Sequence, residues 1–400
     1  MALEKKGDRL RAHGVGRTLG LTAIVTALWV SPVTAQFDDI PAGIIRERAA
    51  LNPQQRAQIQ AYINAHAPLL GSDKPAERSA ARVNLRRPLM DSEVSVSFRI
   101  DYSADLTPRL RELIRRQNRE SSVAAILLAG ELATFEAAQL AVSELSNTDP
   151  IIRYQAAYAI GLTLNTAARR SPAMTADQCM ALVTALGQRI KFLPNPDAGA
   201  DEADPFPSGS PQPVAVDPQR EETDPWVLDR IMRSLAAAME GDSATFEPVR
   251  RKATRVLCSK TIARMRTEQA AAADAMVLEV LLRGVQTIER SFLTATHDRQ
   301  TLQLIIALGA DALRYVAAVS RTIPADDPRR ELLLRLTSAG ENTVQFVRGQ
   351  IDGRNPENFE ITKALTDGNQ QDFRRRVDRL IGADGVLIRE PYSLRIERFR

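Results

Sequence analysis

The stretch TDPIIRYQAAYAIG, Thr148–Gly161, decides how the rest of the chain is read. Asp149 brings the carboxylate that a helix start needs. It accepts hydrogen bonds from the first, otherwise unpaired amides and complements the positive end of the helix dipole. Pro150 suits the first helical position, where a missing N–H costs nothing. Ile152, Ala156, Ala159 and Ile160 then recur at helical steps, so one face is apolar and built largely of small residues. Arg153 fits less well, because a cation near the positive helix end is unfavourable by on the order of a few tenths of a kcal/mol. It calls for an acidic partner from elsewhere in the fold.

The signature recurs. EPVRRKATRVLC, Glu247–Cys258, sets Val249, Arg250, Ala253 and Leu257 at the spacing of Ile152, Arg153, Ala156 and Ile160. ERSAARVNL repeats it more loosely with Arg78, Ala81 and Leu85. SSVAAILLAGEL matches without the arginine, Gly130 standing for Gly161, and these glycines are 31 residues apart, a fit for one helix pair. In this pattern the chain resembles the HEAT-repeat family in its short form, whose consensus runs Asp-Pro-x-Val-Arg-x-x-Ala-Ala-x-Ala-Leu-Gly. Residues 149–161 match almost throughout, with Ile for Val and Ile for Leu. The match at 247–258 is one residue compressed and lacks the glycine. The resemblance implies an all-α, right-handed α-solenoid of helix pairs. It also implies stacked Asp–Arg ladders between repeats, involving Asp149 and Arg153, and by extension Arg250 and Arg78. It covers about 105–165 and 226–265, and it bears on fold, not on activity.

Bulk composition agrees with helices. The 400 residues are 44% hydrophobic, enough for a sizeable core, while aromatics make up only 5%. The abundance of alanine suits close helix packing better than a β-sandwich. The first 35 residues read as a secretory signal: a basic leader, the apolar run TLGLTAIVTALWV, and small residues at Val33 and Ala35 that predict cleavage before Gln36. The alternative is an uncleaved anchor, against which the run is short. The leader carries five basic and two acidic residues, so the formal net charge of +4 falls to +1 after cleavage. The high isoelectric point is then a poor argument for nucleic acid. Residues 194–225 hold eight prolines and eight acids against Arg220 alone, a net −7, and predict a disordered acidic insertion.

These signals divide the chain into a signal (1–35), an N-terminal helical region (36–104), HEAT-like repeats (105–193), the acidic linker (194–225), a further HEAT-like repeat (226–265), a helical C-terminal region (266–383) and an extended tail (384–400). Asn52 and Pro53 predict a capped helix start. Ser92 to Ile100 alternates like a strand or an extended connector. The helix at 226–240 is expected to precede, as first of a pair, the one at 247; the helix at 174–193 is left without a clear partner.

Catalytic chemistry has few places to come from. Outside the leader the histidines are His66 and His297, and both read as helix-boundary residues rather than members of a triad. No metal-ligand spacing or phosphate loop is present, and no cofactor is expected. Cys179 and Cys258 fall on apolar helical faces and read as buried thiols, although export would permit a disulfide. The remaining leads are arginine clusters, Arg109, Arg115 and Arg116 in one and Arg374, Arg375 and Arg376 in another. They read either as solvated helix faces or as a patch for an anionic partner. No aromatic residues interleave with them to stack bases, so nucleic acid is not expected. The expectation is an exported, periplasmic or secreted scaffold. It has no catalysis and no membrane span after cleavage, and it binds another protein or an anionic envelope component. The competing reading is an enzyme or enzyme subunit with a carboxylate-based site in the C-terminal helices. Oligomeric state is not legible.

Overall fold

The structure, a computed structural model, describes residues 39–116, 118–169, 173–190, 222–241, 244–267, 274–292, 297–324, 326–353 and 355–395. The signal segment with Ala35 and Gln36, most of the acidic insertion and the last five residues lie outside these. Among the described residues every regular element is helical and none is a strand. Many of the helices begin at a polar cap. Asn52 accepts from the Gln55 amide at 2.9 Å while the Gln55 side chain accepts from the Asn52 amide. Asp149 accepts from the Ile151 amide, also at 2.9 Å, and Asp224, Asp274 and Asp298 cap later helices in the same way.

A short α1 (Ala42–Ile45) opens the fold, and the long helices then fall into two rows. The first row holds α2 (Pro53–His66), α4 (Val96–Arg115), α6 (Phe135–Glu144), α8 (Ala176–Gln188), α10 (Glu247–Thr267) and α12 (Arg299–Val319). The second holds α3 (Pro75–Arg86), α5 (Arg119–Leu132), α7 (Pro150–Arg169), α9 (Pro225–Ala237), α11 (Ala275–Ser291) and α13 (Arg329–Asp352). Each helix packs on its neighbours within its own row, and from α4 to α12 each also packs on the next helix in the chain. α14 (Ile361–Thr366) and α15 (Gln370–Ile381) pack onto α13 and α12. By length and composition α12 is apolar enough to cross a membrane, but 67% of that stretch is buried inside the fold. Its buried Asp311 accepts from Arg266 of α10 at 3.1 and 3.3 Å, the pairing that a buried carboxylate needs.

Small residues bring the second row together. A methyl group at Gly130 of α5 would stand 2.6 Å from the carbonyl oxygen of Ala159 in α7. One at Gly161 of α7 would stand 2.6 Å from the Ser234 hydroxyl of α9. The two glycines of the repeating signature thus do the same work one helix apart. At these contacts polar bonds also cross between helices: Thr163 donates to the Gly130 carbonyl at 3.2 Å and Ser234 to the Ala157 carbonyl at 2.7 Å. Ala156 and Ala157 are fully buried beside them.

Ion pairs join the starts of successive second-row helices. Arg78 of α3 faces Glu120 of α5 at 3.7 Å, and Arg119 of α5 binds Asp149 at 2.5 Å. Arg153 of α7 grips Glu222 with both prongs, at 2.6 and 2.9 Å, and its third nitrogen donates to the carbonyls of Asn147 and Thr148. Glu222 also accepts from the Asp224 amide at 2.9 Å, and its side chain is 1% exposed. The acid that Arg153 requires is therefore Glu222, from within the stretch read as a disordered linker. Residues 222–225 belong to the packed fold.

Other expectations from the sequence differ from the structure. The alternation at 92–100 is not a strand: Ser95 caps α4, whose buried Phe98, Tyr102, Leu106 and Leu110 repeat every four residues. The helix crosses the boundary placed at 104, because that four-residue stripe continues through it. α9 is not the first helix of a pair with α10. It packs on α7 and α11 in the second row, whereas α10 packs on α8 and α12 in the first, so the partner of α8 is α9. Accordingly Arg250 binds Glu247 on its own helix and the Gly241 carbonyl at 2.5 Å, and joins no neighbouring helix start among the described residues. The tail is not simply extended: Val386–Ile388 form a 3-10 turn, and Tyr392 is buried with its hydroxyl 2.5 Å from the Asp352 carboxylate.

Two substitutions test this packing by denaturant unfolding. Gly130→Ala should destabilise by about 1–3 kcal/mol through overpacking, while Gly43→Ala, with no atom nearby to meet, should be neutral or better. Equal midpoints would contradict the close approach. Arg153→Ala should cost about 3–5 kcal/mol, because it leaves the buried Glu222 carboxylate unpaired. Adding Glu222→Gln should recover part of that loss. An unchanged or raised midpoint for Arg153→Ala would show that the pair ties nothing.

Candidate ligand-binding recess

The C-terminal end of α5 starts the site. Ala133, which follows Leu132, takes a left-handed backbone at φ 53°, so the helix stops and leaves its last carbonyls without successors. Arg99 of α4, buried at 4% exposure, donates to the carbonyls of Glu131 and Leu132 at 3.0 and 2.8 Å. A cation here also suits the negative helix end. The Glu131 side chain is 10% exposed, and one of its oxygens accepts from Arg82 at 3.2 Å and pairs with Arg86 at 3.1 Å. These two arginines stand one turn apart on α3. The second carboxylate oxygen of Glu131 is buried without a partner among the described residues.

α7 forms the opposite wall with Tyr158, Leu162, Asn165, Thr166 and Arg169, and Leu89 and Met90 close the apolar side. The recess measures about 380 Å³ and holds four arginines against one glutamate. The oxygen of the Asn165 side chain is also buried without a partner among the described residues. Arg169 reaches Glu240 across an exposed pair, which leaves it available. The site thus combines a cationic rim, two buried acceptors and apolar walls. It is suited to a ligand that brings negative charge together with N–H or O–H donors.

The arginine clusters singled out in the sequence lie elsewhere. Arg109 and Arg116 line a smaller recess of about 310 Å³ on α4, with Arg109 3.4 Å from Asn64 and Arg116 bound to Glu112 at 2.5 Å. Arg115 is exposed and outside that recess. On α15, Arg374 and Arg375 border a wide open depression whose lining includes Asp372, Asp378 and Asp384. Arg375 binds Asp372, and Arg376 turns to Asp372 at 2.8 Å and to the Phe359 carbonyl. Interspersed acids neutralise much of both clusters. The recess residues were missed because they come from four separate helices. Their one local signal was the i, i+4, i+8 run Arg78, Arg82, Arg86.

His66 packs edge-on against Tyr62, and His297 against Phe292. Burial lowers the pKa of both, which favours neutral rings. Cys179 and Cys258 are buried and form no disulfide, and burial pushes the Cys179 thiol up to about 12. A thiol held there is a poor nucleophile. No group of three or more His, Cys, Asp or Glu suited to a metal occurs among the described residues.

No protein-family model matches the sequence, and no curated protein or solved structure shows significant similarity to it.

Proposed function

We propose that the chain is a non-enzymatic binding scaffold, exported by its N-terminal signal. In this reading it is a right-handed α-solenoid of HEAT-like helix pairs whose second row carries another protein or an anionic envelope component. The observation that carries the reading is the recess between α3, α5 and α7, with its four arginines, single glutamate and exposed apolar edge at Met90. Two rows in which each helix packs on its row neighbours are what stacked helix pairs produce, and such arrays bind along an extended face. The recurrence of Thr-Asp-Pro at 148–150 and 223–225, each opening a second-row helix, supports the same repeat. Export rests on the basic leader, the apolar run and the Val33-x-Ala35 site.

Affinity capture from an envelope extract tests the binding reading when wild type is compared with a Met90→Glu, Arg169→Glu double variant. Met90 is 52% exposed and the Arg169–Glu240 pair joins two exposed side chains, so the variant should fold. A component that wild type retains should be depleted by about tenfold or more on the variant, and should elute with salt. Identical retention on both would exclude the recess. For export, N-terminal sequencing of the protein from its native cell should begin at Gln36, and intact Met1 in the soluble cytoplasm would end that part of the proposal.

A further inference from the structure

Two groups of charges on the second row form neutralised sets. Arg82 and Arg86 share Glu131, and Arg233 of α9 and Arg283 of α11 share Asp229. Between these sets stands Arg230 of α9, which forms no ion pair among the described residues. Here α7 presents tyrosines. The guanidinium carbon of Arg230 lies 4.7 Å from the ring centre of Tyr154 and 4.8 Å from that of Tyr158. One terminal nitrogen donates to the Tyr154 hydroxyl, and Nε is buried without an acceptor. Aromatic faces attract a guanidinium without cancelling its charge. They also hold the planar fork in place, so pairing with an anion costs little further ordering. Tyr158 is at the same time a wall of the recess.

We propose that Arg230 is a carboxylate-recognition point beside the recess, and that the occupant is an acidic peptide segment of a partner protein. A glutamate or aspartate side chain pairs with the Arg230 fork. Neighbouring peptide residues enter the recess against Met90, Leu89 and Leu162, and peptide amides donate to Glu131 and Asn165. The two buried acceptors select against a phosphate or sulfate polymer that brings no N–H donors. The apolar wall selects against a wholly polar chain. This inference rests on the scaffold reading above and adds the chemistry of the partner.

The test is fluorescence anisotropy of the purified chain with a labelled dodecapeptide of glutamate, leucine and alanine. Its glutamine counterpart and the carboxylated polysaccharide polygalacturonate serve as the other arms. The glutamate peptide should bind, and the glutamine peptide should bind about tenfold more weakly or worse. Arg230→Gln should impose a similar loss. Arg230→Lys should fall between, since it keeps the charge but not the fork. Thermal unfolding of each variant checks the fold, and Arg230→Lys carries the test if Arg230→Gln does not fold. Equal binding of both peptides, or unchanged binding by Arg230→Gln, overturns the proposal. So does tighter, Arg230-dependent binding of polygalacturonate. If Met90→Glu with Arg169→Glu abolishes peptide binding while Arg230→Gln does not, the recess reading stands and the Arg230 proposal falls. If neither the peptide nor any envelope component binds, both fall.

Discussion

The close approach of second-row helices is the constraint on which the rest depends. Where Gly130 meets Ala159 and Gly161 meets Ser234, there is no room for a side chain. Helices this near one another exchange side-chain-to-carbonyl bonds at Thr163 and Ser234, which wider spacing would break. The same spacing brings the helix starts within reach of one another, so that Arg119 finds Asp149 and Arg153 finds Glu222. It also sets Arg230 of α9 within cation–π distance of both tyrosines on α7. Packing, charge pairing and the candidate site therefore follow from a few small residues.

Much of this fold could be read from the chain, because its helices announce themselves locally. Asp149 with Pro150, and Asn52 with Pro53, are cap signals confined to adjacent residues, and the apolar stripes of α7 and α8 need only their own spacing. The failures have physical reasons. In Ser92 to Ile100 an alternating polar and apolar run overlaps the start of a four-residue stripe, and the stripe prevails because Phe98, Tyr102 and Leu106 all reach the core. The assignment of α9 and α10 to rows failed because α10 carries the valine-arginine-alanine spacing of a second-row helix. The better guide was the Thr-Asp-Pro at 223–225, hidden at the edge of a proline-rich acidic stretch.

The candidate site was far less legible. Arginine clusters contiguous in sequence drew attention, yet the structure pairs many of them with acids on their own helix, such as Arg116 with Glu112 and Arg376 with Asp372. The recess gathers residues from α3, α4, α5 and α7, and no linear spacing connects Arg99 to Glu131 or Tyr158 to Arg230. Nor does sequence report which arginines lack an acid. That depends on whether the facing helix offers a carboxylate or a tyrosine.

One further feature lies at two described residues near the ends of the acidic stretch, Arg189 and Glu222. The Glu222 amide donates to the Arg189 carbonyl at 2.9 Å, so the two flanks are bonded to each other. Arg153 clamps the return side through the buried carboxylate. With the two flanks already held together, a flexible segment added between them would cost the fold little. Each doubling adds only about 0.6 kcal/mol of closure entropy. The junction at 190 and 222 is thus a natural insertion point, where composition and length can drift, or a new module be grafted, without altering the helices on either side.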